Sequence, residues 1–152
     1  MVQKLRERSQ GEGGFTLVEL LVVMLILGLL AAIAIPSFFN QREKAKDADA
    51  KAAARTAQTA IETYATGNGG SYLNATAAIL QDIEPTLNDS TLGVSGLAAD
   101  EYTVTVTSDG TNANEFSITR NDDGTTDLTC TDEGVDGCPE AVAPATTGNW
   151  GD

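Results

Sequence analysis

Hydrophobic and polar positions divide the chain into three regimes. From Phe15 to Phe39 apolar residues run almost unbroken, and between Leu20 and Ile35 no side chain is charged or polar. Twenty-five helical residues span about 37 Å, more than the ~30 Å hydrocarbon core of a bilayer, so segment 15–39 can cross a membrane. After Asn40 comes "QREKAKDADAKAAARTAQTAIETYAT", in which Ala53, Ala57, Ala60, Ile61 and Tyr64 recur at helical spacing on one face. Alanine is the strongest helix former and Gly67 a natural stop. Only Pro36 interrupts, so the pattern predicts one helix from Phe15 to about Thr66, with 40–66 as the spine of a head.

Segment 67–101 reads as a loop with a short helix around Ala75–Ile83. There Ile79, Leu80 and Ile83 share a face, and Glu84–Pro85 ends it. The period then drops to two. "YTVTVT" (102–107), "EFSITR" (115–120) and "TTDLTC" (125–130) alternate apolar with polar residues, separated by turn-forming "SDGTNAN" and "NDDG". A three-stranded antiparallel meander over 102–130 is expected, its apolar face packing on the helix in an α+β fold. The last segment, 131–152, holds a cysteine loop and, from 139, an irregular tail.

Charge follows the same partition. From Gly67 onward there are fifteen acids and one base, Arg120, whereas the residues before it carry seven acids and eight bases. So acidic a head should repel nucleic acid, whose phosphates need clustered Lys and Arg. The chain has no histidine, the commonest general base and metal ligand. No GxSxG, HExxH, Walker or GxGxxG pattern occurs, and no active site is read.

One carboxylate, Glu19, opens the apolar run. A charge at the bilayer centre costs about 2.5–3.5 kcal/mol on insertion scales, so Glu19 calls for a partner, unless it snorkels to the interface in protonated form. The preceding "MVQKLRERSQGEGG" is polar and partly basic. A secretory signal begins likewise, but its apolar core is about 7–15 residues before a small-residue cleavage site. This core is longer, although "LAAIAIP" offers small residues at its end. Bases flank the span on both sides (Lys4, Arg6 and Arg8; Arg42, Lys44 and Lys46), so the charge rule gives no orientation. The Thr-rich composition and the cysteine pair place the C-terminal part outside, in an oxidising compartment.

"GGFTLVELLVVMLILGLLAAIAIP" closely resembles the start of type IV pilins and of the pseudopilins of type II secretion, strongly over Gly14 to about Asn40. The rest matches in order and kind only. The resemblance implies a pilin-like fold, with a leader of residues 1–14. It also implies cleavage by a prepilin peptidase between Gly14 and Phe15, followed by N-methylation of Phe15. The freed α-amino group, with a pKa of about 7.7–8.0, would be cationic near neutral pH. Glu19 of one subunit could then meet the Phe15 ammonium of its neighbour, rewarding correct register in the filament. Gly28 and Pro36 match positions bracketing a segment that unwinds on assembly. The physics agrees in part, since proline removes a helix bond and glycine weakens a helix; a simple kink is the alternative. Ala31, Ala32 and Ala34 could let helices approach closely.

Cys130 and Cys138 make a poor zinc site without histidine; exported, they are expected to form a disulfide stapling the last strand to the tail, worth about 2–3 kcal/mol. Many pilins carry a similar staple. Asp122, Asp123, Asp127, Asp132, Glu133 and Asp136 crowd one region. Some pseudopilins hold calcium in a comparable loop, but EF-hand spacing is not met and a solvated acidic edge is the preferred reading. No other cofactor is expected. "NAT" at Asn74 and "NDS" at Asn88 fit the glycosylation triplet, and both are read as solvated loop.

The function implied is a structural subunit, held in the inner membrane by its helix and then extruded into a surface filament for adhesion or motility. An inner-membrane assembly platform with a cytoplasmic ATPase would drive this, since no nucleotide-binding motif occurs here. A type II secretion pseudopilin, in a periplasmic filament, is the alternative; such proteins typically show Tyr-Pro after the spine, which "GGSYLNAT" lacks. A monomeric single-pass binding protein would leave Glu19 without a purpose. Direct DNA binding, as in an uptake pilin, conflicts with a chain whose only base from Gly67 onward is Arg120.

Overall fold

The computed structural model of the chain describes residues 14–141 and 147–151. Of the expected leader only Gly14 falls among them. Two compact units are present, Met1–Phe39 and Asn40–Asp152, and helix α1 (Leu17–Gly67) contributes to both.

In the first unit nearly every side chain of α1 is exposed. The most apolar 18-residue window has mean hydropathy 2.9 and no buried share. The helix begins at Leu17 rather than Phe15 because Thr16 caps it: its Oγ1 accepts the Glu19 N–H at 3.2 Å and its carbonyl the Leu20 N–H at 3.2 Å. Gly28 and Pro36, expected to bracket a segment that unwinds on assembly, lie within the helix Leu17–Gly67. One proline removes one N–H, and the bonds on either side keep α1 continuous.

In the second unit α1 buries a ridge of small residues, Ala50, Ala54, Ala57, Ala60, Ile61 and Ala65. Of the face expected from sequence, Ala53 and Tyr64 are only half-buried. On its other flank Thr56, Thr59, Thr63 and Thr66 donate their hydroxyls to the carbonyls of Ala52, Arg55, Thr59 and Glu62 at 2.8–3.1 Å. The helix ends where Gly69 and Gly70 take positive φ, and the Gly70 N–H returns to the Ala65 carbonyl at 2.8 Å.

Helix α2 (Ala77–Ile83) is two residues shorter than expected, since Thr76 acts as its N-cap and accepts the Ile79 N–H. A 3-10 turn, Pro85–Asp89, follows. The sheet has five antiparallel strands rather than three, in the order β1 (Thr91–Ser95), β2 (Tyr102–Thr107), β3 (Glu115–Arg120), β4 (Thr126–Cys130) and β5 (Gly148–Asn149). Strand β1 carries a central glycine and buries no residue fully, so its alternation is faint in sequence; pairing of Leu92 with Val106 and Val94 with Val104 defines it. Strand β5, in the tail read as irregular, is two residues paired with Thr129 and Cys130.

Registered pairs Val104–Ile118, Val106–Phe116 and Phe116–Cys130 fill the inner face, which together with the alanine ridge, Leu80, Leu87 and Trp150 forms one core. Alanines on the ridge leave room for the larger sheet side chains. On the outer face hydroxyls pair instead, Thr103 with Thr119 at 3.0 Å and Thr105 with Ser117 at 2.8 Å.

Candidate functional site

The residues singled out at the N-terminal end sit together in sequence and in space. Gly14 is exposed, Phe15 is 78% exposed, and Glu19 stands in the first turn of α1. Thr16 and Glu19 have the spacing of a capping box, and a carboxylate at that position is favoured by the helix dipole. "TLVE" carries this signal openly, yet the sequence reading weighed for Glu19 only an intermolecular partner or a snorkelling carboxyl. Among the described residues no cation pairs with Glu19. Leu17 to Phe39 present an exposed apolar surface among the described residues.

The cysteines lie where expected: Cys130, ending β4, is bonded to Cys138. Packed against this staple are Gly148 of β5 and, through Phe116, the ring of Trp150, edge-on at 5.9 Å. Lys51 and Arg55 lie over the Trp150 ring at 5.9 and 5.0 Å.

Two polar clusters tie the spine to the sheet, and sequence reading found neither. In the first, the Glu62 carboxylate accepts the hydroxyls of Tyr72 at 2.8 Å and Tyr102 at 2.9 Å, while Arg120 approaches to 3.7 Å. Burial, then the bond to Glu62, pushes both tyrosines above their ordinary pKa. In the second, Glu43, Asp47 and Lys51 form a ridge with one residue per turn. Glu43 accepts the Thr111 N–H at 2.5 Å, which holds its carboxyl below the usual range. Asp47, 2% exposed, accepts the Asn114 amide at 2.8 Å and the Gly137 N–H at 2.9 Å. Lys51 donates to the Gly137 carbonyl at 2.6 Å, and burial lowers its pKa. In "REKAKDADAK" charges occupy almost every helical spacing, so nothing in the sequence marks these three.

The acidic group disperses. Asp123 accepts from Thr125, Asp127 from Asn121 and Asp136 from Asn112, and of the six acids all but the half-buried Asp136 are exposed. Among the described residues no three His, Cys, Asp or Glu side chains are grouped to hold a metal ion.

The prokaryotic N-terminal methylation motif matches residues 10–35. The chain is 33% identical over 89 residues to the major component of the type IV wide pilus of Thermus thermophilus, covering 59% of this chain and 68% of that protein. It is 43% identical over 51 residues to the type IV major pilin of Myxococcus xanthus, covering 34% of this chain and 23% of the pilin. It is also 37% identical over 57 residues to core protein G of the type II secretion system of Pseudomonas aeruginosa, covering 38% of this chain and 40% of that protein. The matches to the Myxococcus and Pseudomonas proteins thus span less than half of their lengths.

Proposed function

Since this chain belongs to the type IV pilin family, we propose that it is the structural, non-enzymatic subunit of a type IV pilus. A prepilin peptidase cuts between Gly14 and Phe15, and Phe15 is N-methylated. The subunit waits in the inner membrane on the apolar half of α1. An assembly platform powered by a cytoplasmic ATPase then extrudes it into a surface filament serving adhesion or motility.

The observation carrying this reading is the exposed apolar surface of Leu17–Phe39 with a single carboxylate at its head. Lipid covers it before assembly and neighbouring α1 helices cover it afterwards. In the filament Glu19 meets the Phe15 ammonium of the next subunit, replacing an isolated charge by a neutral pair. Gly28 and Pro36 are where α1 yields on assembly, being the weakest points of its ladder.

A type II secretion pseudopilin is the second reading, favoured by the similarity to core protein G. Against it stands the longer match to the wide-pilus component, which at 89 residues reaches well past the N-terminal motif.

Intact-mass and N-terminal peptide analysis of sheared filaments, beside the membrane fraction, tests both. A chain beginning at methylated Phe15 and abundant in the sheared material supports the pilus. The same chain confined to the envelope supports the pseudopilin. An uncut chain sinks both.

A further inference from the structure

We propose that the disulfide loop and the spine helix are reciprocally coupled through the buried carboxylate of Asp47. Closing the Cys130–Cys138 bond presents the Gly137 amide to Asp47, and a docked Asp47 in turn favours the bonded cysteines.

Gly137 immediately precedes Cys138, and helix residues one turn apart hold its peptide groups: Asp47 takes its N–H and Lys51 donates to its carbonyl. The approach is close, for a Cβ at position 137 would lie 2.6 Å from the Asp47 Cβ. The two preceding residues are also fixed, Val135 through its carbonyl to the Asn114 amide and Asp136 to the Asn112 amide. Asn114 is 1% exposed and its amide spans Asp47 and Val135.

A buried carboxylate needs its donors, and losing one leaves a costly unsatisfied charge. Opening the disulfide lengthens the free loop and removes the constraint that places Gly137. The two events therefore share one free energy, and each shifts the other by the same factor. The redox step is thiol exchange with glutathione. One glutathione thiolate attacks a sulfur to form a mixed disulfide, and a second releases it. Both glutathione thiol protons end on Cys130 and Cys138, and one oxidised glutathione forms.

The test equilibrates the full chain in detergent micelles against glutathione redox buffers and counts bonded cysteines by thiol alkylation and mass spectrometry. Asp47→Asn can keep one oxygen towards both Asn114 and Gly137 but loses the charge that strengthens those bonds, and is expected to shift the equilibrium about tenfold towards the dithiol, about 30 mV for this two-electron couple. Lys51→Met keeps an unbranched stem but loses the Gly137 bond and the ammonium over Phe116 and Trp150, giving a shift of about threefold in the same direction. Glu43→Gln keeps an acceptor for the Thr111 N–H, meets Lys46 and no residue of 135–138, and stays within about twofold of the parent. Fluorescence of Trp150, the only tryptophan, reports whether each variant is folded. If Asp47→Asn does not fold, Lys51→Met decides. A parent-like equilibrium in the folded variants, or an equal shift in Glu43→Gln, overturns the coupling.

Discussion

Replacing Glu62 by alanine strands two buried tyrosine hydroxyls at once. Tyr72 and Tyr102 are 4% and 1% exposed, their rings meet edge-on with centroids 4.7 Å apart, and both hydroxyls end on the Glu62 carboxylate. A hydrogen bond to a charged group contributes about 1.5–3 kcal/mol net. The Arg120 contact, partly exposed at both ends, adds less than about 1 kcal/mol. Tyr72 can regain some hydration near the surface, so Glu62→Ala is expected to lose about 2–4 kcal/mol. Glu62→Gln, which can still accept from one tyrosine and donate to the other, loses about half as much. Urea unfolding in micelles, followed by Trp150 emission, gives both values. A cycle with Tyr102→Phe then isolates the pair, with an expected coupling of about 1.5 kcal/mol. A Glu62→Ala protein as stable as the parent, or a coupling near zero, would refute the claim that this cluster fastens strand β2 to the spine.

The same tyrosines set an alkaline limit. Their folded pKa values lie above the ordinary value of 10.0, so the unfolded chain releases protons first. The stability they contribute is fully present below about pH 10 and falls as pH rises towards the folded values; urea midpoints from pH 8 to 11.5 check this, with a shallower fall expected in Tyr102→Phe. At Gly148 an added Cβ would collide with the Pro139 carbonyl and stand 3.0 Å from both disulfide sulfurs. Gly148→Ala should cost about 1–3 kcal/mol and red-shift Trp150 emission as β5 leaves β4, whereas an unchanged spectrum counts against that packing.

What sequence revealed and what it hid divide along physical lines. Long periodic segments were legible because their pattern is the cause of their structure: the apolar run, the alanine ridge at Ala57, Ala60 and Ile61, and the alternation in β2, β3 and β4. Strands β1 and β5 were not, because neighbours define them. Gly93 blurs the first, and the second is two residues held beside Cys130 by pairing and packing. The cysteine pair was legible as a staple, but not what it grips, since Asp47 and Gly137 stand ninety residues apart. Glu19 was legible as an anomaly in a greasy run. Its local bond to Thr16 was equally readable and was overshadowed by the search for a distant partner.

The threonines on the outer flank of α1 have a consequence for surfaces laid against them. Thr56, Thr59, Thr63 and Thr66 have already donated their protons to carbonyls one turn back. Their hydroxyls have only oxygen lone pairs left to offer, which water can use but a dry neighbour need not satisfy. Such a flank is wettable and yet can lose its water without stranding a donor. It suits a helix that must be soluble in one state and covered in another.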